Sequence, residues 1–167
     1  SHTDETWYRE KQIVNQKLKH QKRGGFIFEY CLPLCCISPS SSLVKKEIFD
    51  QIGFFDESLE VCEDYDFWLR YCSKHPVNFV NKKLTFKFGG HLDQLSKKNW
   101  GMDRFRIVAL EKLISSNSLE KDQLEMTAET LMRKISIIVA GAKKRSNQQV
   151  FDLYNKKKSF WLDQLKK

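Results

Sequence analysis

Three clusters in this sequence hold residue types that could do chemistry. The densest is Glu63-Asp64-Tyr65-Asp66, three carboxylates in four positions, running into Phe67-Trp68-Leu69-Arg70. Tyr65, Trp68, Leu69 and Cys72 recur at three-and-four spacing, so the acids fall on the first turn of a helix. A helix dipole favours negative charge there, and the same placement serves a cap as well as a reacting carboxylate. The second cluster is Gly89-Gly90-His91, directly after an apolar alternation. A histidine just past a strand end, on a loop relaxed by glycine, can face a cleft; a lone histidine also packs structurally. The third is basic: Lys17, Lys19, His20, Lys22 and Arg23 precede Gly24-Gly25. Such a loop is solvated, or, facing a cleft, Lys22 and Arg23 hold a diphosphate or an anionic acceptor. Asp4-Glu5 lacks Asp-x-Asp spacing and an apolar strand before it, and is not read as a nucleotide-metal motif.

The elements that must position these groups follow from pattern. Glu5 to Arg9 reads as a strand, with a short return over Glu10 to Asn15. A short helix over Gly25 to Leu32 ends at Pro33. Ser38-Pro39-Ser40-Ser41-Ser42 is a small-residue loop, followed by a short strand and then by a helix that closes the Leu43–Ile52 stretch before Gly53. Pro76 stops the acidic helix. Val77 to Phe88 splits into two alternating groups about Asn81-Lys82, which predicts strand, turn, strand. Helices follow over Lys98 to Ser115, Ser118 to Arg145 and Gln148 to Lys167, the middle one with Leu124, Ala128, Leu131, Ile135, Ile138 and Ala142 on one face.

The chain has 167 residues, 41% hydrophobic and 13% aromatic, which is globular composition with enough length for a core. No apolar run approaches the roughly 20 residues of a membrane span. The polar start Ser1-His2-Thr3-Asp4-Glu5 is not a signal peptide, and without an initiator Met the chain reads as a fragment. Five cysteines, an odd number without zinc-knuckle spacing, fit buried free thiols in a reducing cytosol. Net charge is +8 and uneven: residues 1–96 balance 13 basic against 13 acidic side chains, whereas residues 97–167 carry 16 against 8. That excess points to an anionic partner for the C-terminal part, or to a solvated basic face. Nothing resembles a zinc finger, an RNP aromatic pair or a helix-turn-helix, so nucleic acid is not an expected partner.

Phe55-Asp56-Glu57-Ser58-Leu59, a short gap, then Glu63-Asp64-Tyr65-Asp66-Phe67-Trp68-Leu69-Arg70 resembles the second half of family 2 glycosyltransferases of the GT-A fold. The resemblance covers roughly Thr3 to Leu113 and is most specific over residues 54–70. It implies an α/β fold: the C-terminal part of a GT-A-like mixed sheet flanked by helices (residues 1–97, the acceptor-side half), followed by a basic helical extension (98–167). The first half of such a domain, ending in Asp-x-Asp, has no counterpart in these residues.

The activity it implies is inverting transfer of a sugar from a nucleotide-sugar donor to a sugar or lipid-linked acceptor. Asp64 would be the base that takes the acceptor proton, and Glu63 would orient it or bind an acceptor hydroxyl. Asp66 is expected to cap or to pair with Arg70 at i+4. His91 would ligate a divalent metal, Mn or Mg, on the diphosphate. Ser40, Ser41 and Trp100 would border the acceptor or phosphate site. The expected location is cytoplasmic, peripheral to the inner face of the membrane. The competing expectation is a non-catalytic basic module on a membrane surface or polyanion.

Overall fold

The computed structural model describes residues 1–10, 12–90 and 100–165. The chain divides into two compact units, Ser1–Trp100 and Gly101–Lys167. The whole is a mixed α/β structure, with a three-stranded sheet and six α-helices among the described residues.

The first unit holds strands β1 (His2–Arg9), β2 (Gln12–Val14) and β3 (Phe79–Gly89) in the order β2-β1-β3. β2 returns antiparallel, with Arg9 opposite Gln12. Only two residues connect them, and Glu10 takes φ 50°, the positive sign that tight hairpins require. β3 lies parallel to β1. Parallel neighbours need a long crossover, and here it carries helices α1 (Phe28–Cys31), α2 (Lys46–Ile52) and α3 (Glu63–Cys72).

The predicted strand, turn, strand over Val77 to Phe88 is one strand instead. Register against β1 runs Thr3↔Val80, Asp4↔Lys83, Glu5↔Thr85, so β3 has extra residues at two places. Asn81 and Lys82, which look like a turn, are absorbed as a bulge, which bends a strand without reversing it. The short strand expected after Ser42 is also missing. Only an isolated bridge, His2↔Ser42, forms there, and Pro39–Ser41 is a single 3-10 turn. Leu43 is exposed rather than part of a helical stripe, and α2 begins three residues later.

Alternation in β3 puts Leu84, Phe86 and Phe88 among the exposed large apolar residues, with Tyr8 stacked on Phe88 at 5.2 Å. The opposite side of β1 presents Glu5 and Trp7 toward Ser41, Lys22 and Lys87. Gly24 lies where a Cβ would sit 3.0 Å from that of Phe79, so only glycine lets this loop approach the start of β3.

The core of this unit is built on α3, which buries Tyr65, Phe67, Trp68, Leu69 and Cys72. Tyr65 donates its hydroxyl to the Leu32 carbonyl at 2.5 Å, tying α3 to the end of α1. Phe67 packs on Phe55 at 4.7 Å and on Phe49 at 5.4 Å. Each such side chain contributes on the order of 1.5–3 kcal/mol by leaving water.

The second unit is three helices, α4 (Asp103–Ser115), α5 (Lys121–Lys144) and α6 (Gln148–Gln164). Ile107, Leu110, Leu131 and Ile135 are fully buried between them. Glu120 and Gln123 form a reciprocal capping box at the start of α5, and Asn147 Oδ1 accepts the Val150 amide at 3.1 Å to cap α6. No described helix is long and apolar enough to cross a membrane.

Candidate functional site

The acidic cluster divides into two kinds of carboxylate. Asp66 is buried and pairs with Arg70 one turn on, at 2.9 Å. Arg70 also donates to the Ile52 and Phe54 carbonyls, and so clamps the turn after α2 onto α3. That use of Asp66 agrees with the i, i+4 expectation.

Glu63 and Asp64 are half-buried on the same first turn. Glu63 has no hydrogen-bond or ion-pair partner among the described residues. Asp64 Oδ1 accepts the amide of its neighbour Tyr65 at 2.7 Å. It does not reach the amides of Asp66 or Phe67, as a capping carboxylate would; the Asp66 amide goes to the Cys62 carbonyl at 3.1 Å. Cys62 is the N-cap residue, and α3 has no side-chain cap. Its φ of 67° is left-handed, a conformation that costs a non-glycine residue on the order of 1 kcal/mol or more. The chain therefore turns sharply just before Glu63-Asp64.

Cys35 stands beside Asp64. Burial, then the neighbouring Asp64 charge, push its thiol well above the usual range, and the thiol donates to the Ile37 carbonyl at 3.1 Å. A thiol held protonated is a donor and a poor nucleophile. Cys31 and Cys72 lie deeper, their sulfurs 3.8 Å apart, and all five cysteines are free.

The basic loop behaves differently from a solvated loop. Lys22 is buried, and its ammonium donates to the Cys36 carbonyl at 2.9 Å and to Ser38 Oγ at 3.2 Å, with Glu5 Oε1 at 3.4 Å. Its charge is spent inside the protein. Arg23 donates to Gln21 at 3.1 Å and lies 4.2 Å from the Tyr30 ring centre. Ser41 is buried and donates to Glu5 Oε1 at 2.8 Å, while Ser40 beside it is exposed. Lys87 on β3 donates to Ser38 Oγ at 2.9 Å and lies 3.8 Å from Glu5 Oε2.

Glu5 is thus the hub that sequence reasoning set aside. It is 1% exposed and also accepts the Trp7 indole N–H at 2.8 Å. Burial alone would raise its pKa. Hydrogen bonds from Ser38, Trp7 and Ser41 and the Lys22 charge overcome this and hold it at about 2. The signal was an acid in the middle of a short aromatic strand, with a lysine-rich loop downstream. What it lacked was any indication that Ser38–Ser41 folds over it.

The structure therefore brings Lys22, Ser41 and Glu5 together, and places Glu63 and Asp64 on one helical turn beside Cys35. Trp100 is exposed at the end of the first unit. His91 lies outside the described residues. Among the described residues no three His, Cys, Asp or Glu side chains group as metal ligands.

Comparison with curated proteins finds a likeness to an uncharacterized glycosyltransferase of Rickettsia felis, 34% identical over 58 residues. The match takes in 35% of this chain and 10% of that protein, so the chain matches about a tenth of the relative's length. It points to a glycosyltransferase relationship. No protein-family model matches the chain, and no solved structure does.

Proposed function

We propose that this chain is the acceptor-side part of an inverting glycosyltransferase of the family 2 type and GT-A fold, with Asp64 as its general base. The observation that carries the reading is the division of labour on α3. Asp66 takes the structural ion pair with Arg70, and no described cation neutralises Glu63 or Asp64. Carboxylates kept half-exposed and unpaired at a sharp turn are available to a substrate. The likeness to a glycosyltransferase supports the reaction class.

In this reading an acceptor hydroxyl gives its proton to Asp64 as its oxygen attacks the anomeric carbon. The bond to the nucleoside diphosphate breaks on the opposite face, and the electron pair leaves with the diphosphate, so the anomeric centre inverts. The Tyr65 amide holds the Asp64 carboxylate in place. Glu63 binds a second acceptor hydroxyl. A divalent ion, with His91 as the ligand that the resemblance assigns, belongs to the proposal without a step derived through it. The test is Asp64→Asn in the full-length enzyme, assayed for transfer with a panel of sugar nucleotides. Retained donor binding with transfer lost supports the base; unchanged transfer ends it.

The second unit favours a further role at an anionic membrane surface. Lys143, Lys144 and Arg145 are exposed in sequence at the end of α5, and Phe160 and Leu162 are exposed on α6. Trp161 is not available to a bilayer: it is buried and donates to Glu111 at 2.7 Å, and Lys157 is paired with the same carboxylate at 2.6 Å. A cytoplasmic protein held at the inner membrane face fits this arrangement. Co-sedimentation no stronger with anionic than with neutral vesicles would remove it.

A further inference from the structure

A cleft of about 190 Å³ opens at the carboxyl ends of the parallel strands β1 and β3, lined among others by Trp7, Arg9, Lys87, Phe88 and Gly90. Three features set it apart from the rest of the surface. It sits outside the carboxyl ends of adjacent parallel strands, the edge where α/β sheets bind ligands. It is cationic, with Arg9 and Lys87 and no acid among its lining residues. It also holds a fixed indole: Trp7 is anchored by its N–H to buried Glu5 and flanked by the His20 ring at 5.1 Å and the Lys87 ammonium at 5.8 Å.

Arg9 is exposed and has no hydrogen-bond or ion-pair partner among the described residues. Lys87 is fastened at the base by Ser38 and Glu5, so a cation reaches the cleft already positioned. Gly90 at the mouth takes φ 98°, a conformation that favours glycine, and a Cβ there would lie 3.4 Å from Arg9 Cγ. An aromatic platform offers an apolar face to the C–H side of a sugar ring, and a guanidinium makes short charge-assisted bonds to phosphate oxygens.

We infer that this cleft binds a phosphorylated sugar of the acceptor. The inference rests on the glycosyltransferase reading for the word acceptor, and on the cleft alone for the chemistry. It gives Trp7, Arg9 and Lys87 a binding role that the motif around Asp64 does not supply.

The experiment uses the ¹⁵N-labelled chain, following the four tryptophan indole signals and the Gly89 and Gly90 amides. Glucose 6-phosphate, glucose, inorganic phosphate and uridine diphosphate are titrated separately. The expected result is saturable movement of the Trp7, Gly89 and Gly90 signals with glucose 6-phosphate, and at least about tenfold weaker binding of glucose. Arg9→Ala, at an exposed position, weakens glucose 6-phosphate about tenfold and leaves the other indole signals in place. No movement of these signals at millimolar probe overturns the inference, and so does binding unaffected by Arg9→Ala. Equal movement with inorganic phosphate removes the sugar, and movement with uridine diphosphate but not with glucose 6-phosphate removes the acceptor. If the cleft binds as expected while Asp64→Asn leaves transfer unchanged, the base assignment fails and the cleft stands.

Discussion

Among the helix starts that carry acids, those of α3 and α4 use them in opposite ways. At the start of α4, Asp103 accepts from Lys134 and Arg106, each at 2.9 Å. Burial would raise its pKa, but these two partners outweigh it and leave it below the usual range. Lys134 is itself lowered by burial, against the pull of Asp103. The acid is closed in by cations and is structural. At the start of α3 one acid of three, Asp66, is closed in this way, and Glu63 and Asp64 are not. The difference teaches that a carboxylate on a first turn is recognised as reactive or structural by what surrounds it. The dipole favours it equally in both places.

The sharpest way to break the comparison is to neutralise one acid of each kind. On the glycosyltransferase proposal, Asp64→Asn is expected to lower transfer by about 10²–10⁴ with donor binding retained. Asp66→Asn should cost far less turnover and instead lower the melting temperature, because it releases Arg70. Steady-state rates and thermal melts of both variants decide this, and a reversed pattern would exchange the two roles.

Glu5 sharpens it from the stability side. Its folded pKa of about 2 lies below the ordinary 4.5. The stabilisation is therefore fully present above about pH 4.5 and is lost as pH falls from there toward 2. The shift corresponds to about 3 kcal/mol at neutral pH. Glu5→Gln should lower denaturant stability of the first unit by about that much at pH 7 and by much less near pH 2. A pH-independent difference would show that Glu5 contributes by packing alone.

Asp103→Asn breaks the buried contact with Lys134, and about 2–3 kcal/mol of stability should go, in line with uncovering a partly buried cation. With the folded pKa lowered, the difference from the parent should shrink as pH falls through the carboxylate range. Guanidinium melts at pH 7 and pH 3 check it. The smallest effect is at the α6 cap: Asn147→Ala should cost about 1 kcal/mol through the lost bond to the Val150 amide. It should leave the first unit's transition where it was.

Local pattern made much of this chain legible. The periodicity of α3, α5 and α6 and the pairing of Asp66 with Arg70 depend on residues three and four apart, which a sequence displays directly. The hairpin of β1 with β2 and the concentration of basic residues after position 96 are likewise local features that the sequence displays. Adjacency in the sequence also put Glu63 and Asp64 on one turn.

The rest depended on contacts between residues distant in sequence. The parallel pairing of β1 with β3 joins residues more than seventy positions apart, and its bulge turned an apparent Asn81-Lys82 turn into continuous strand. Glu5, Lys22, Ser38, Ser41 and Lys87 come from four separate segments and meet only because that pairing and the Ser38–Ser41 turn close over them. Burial turned a rejected acid into a hub and a basic loop residue into its counter-ion. Sequence by itself determined which groups could be charged and which turns they sit on. Only the tertiary structure decided which charges are desolvated and paired, because that depends on what lies within a few ångströms across the fold.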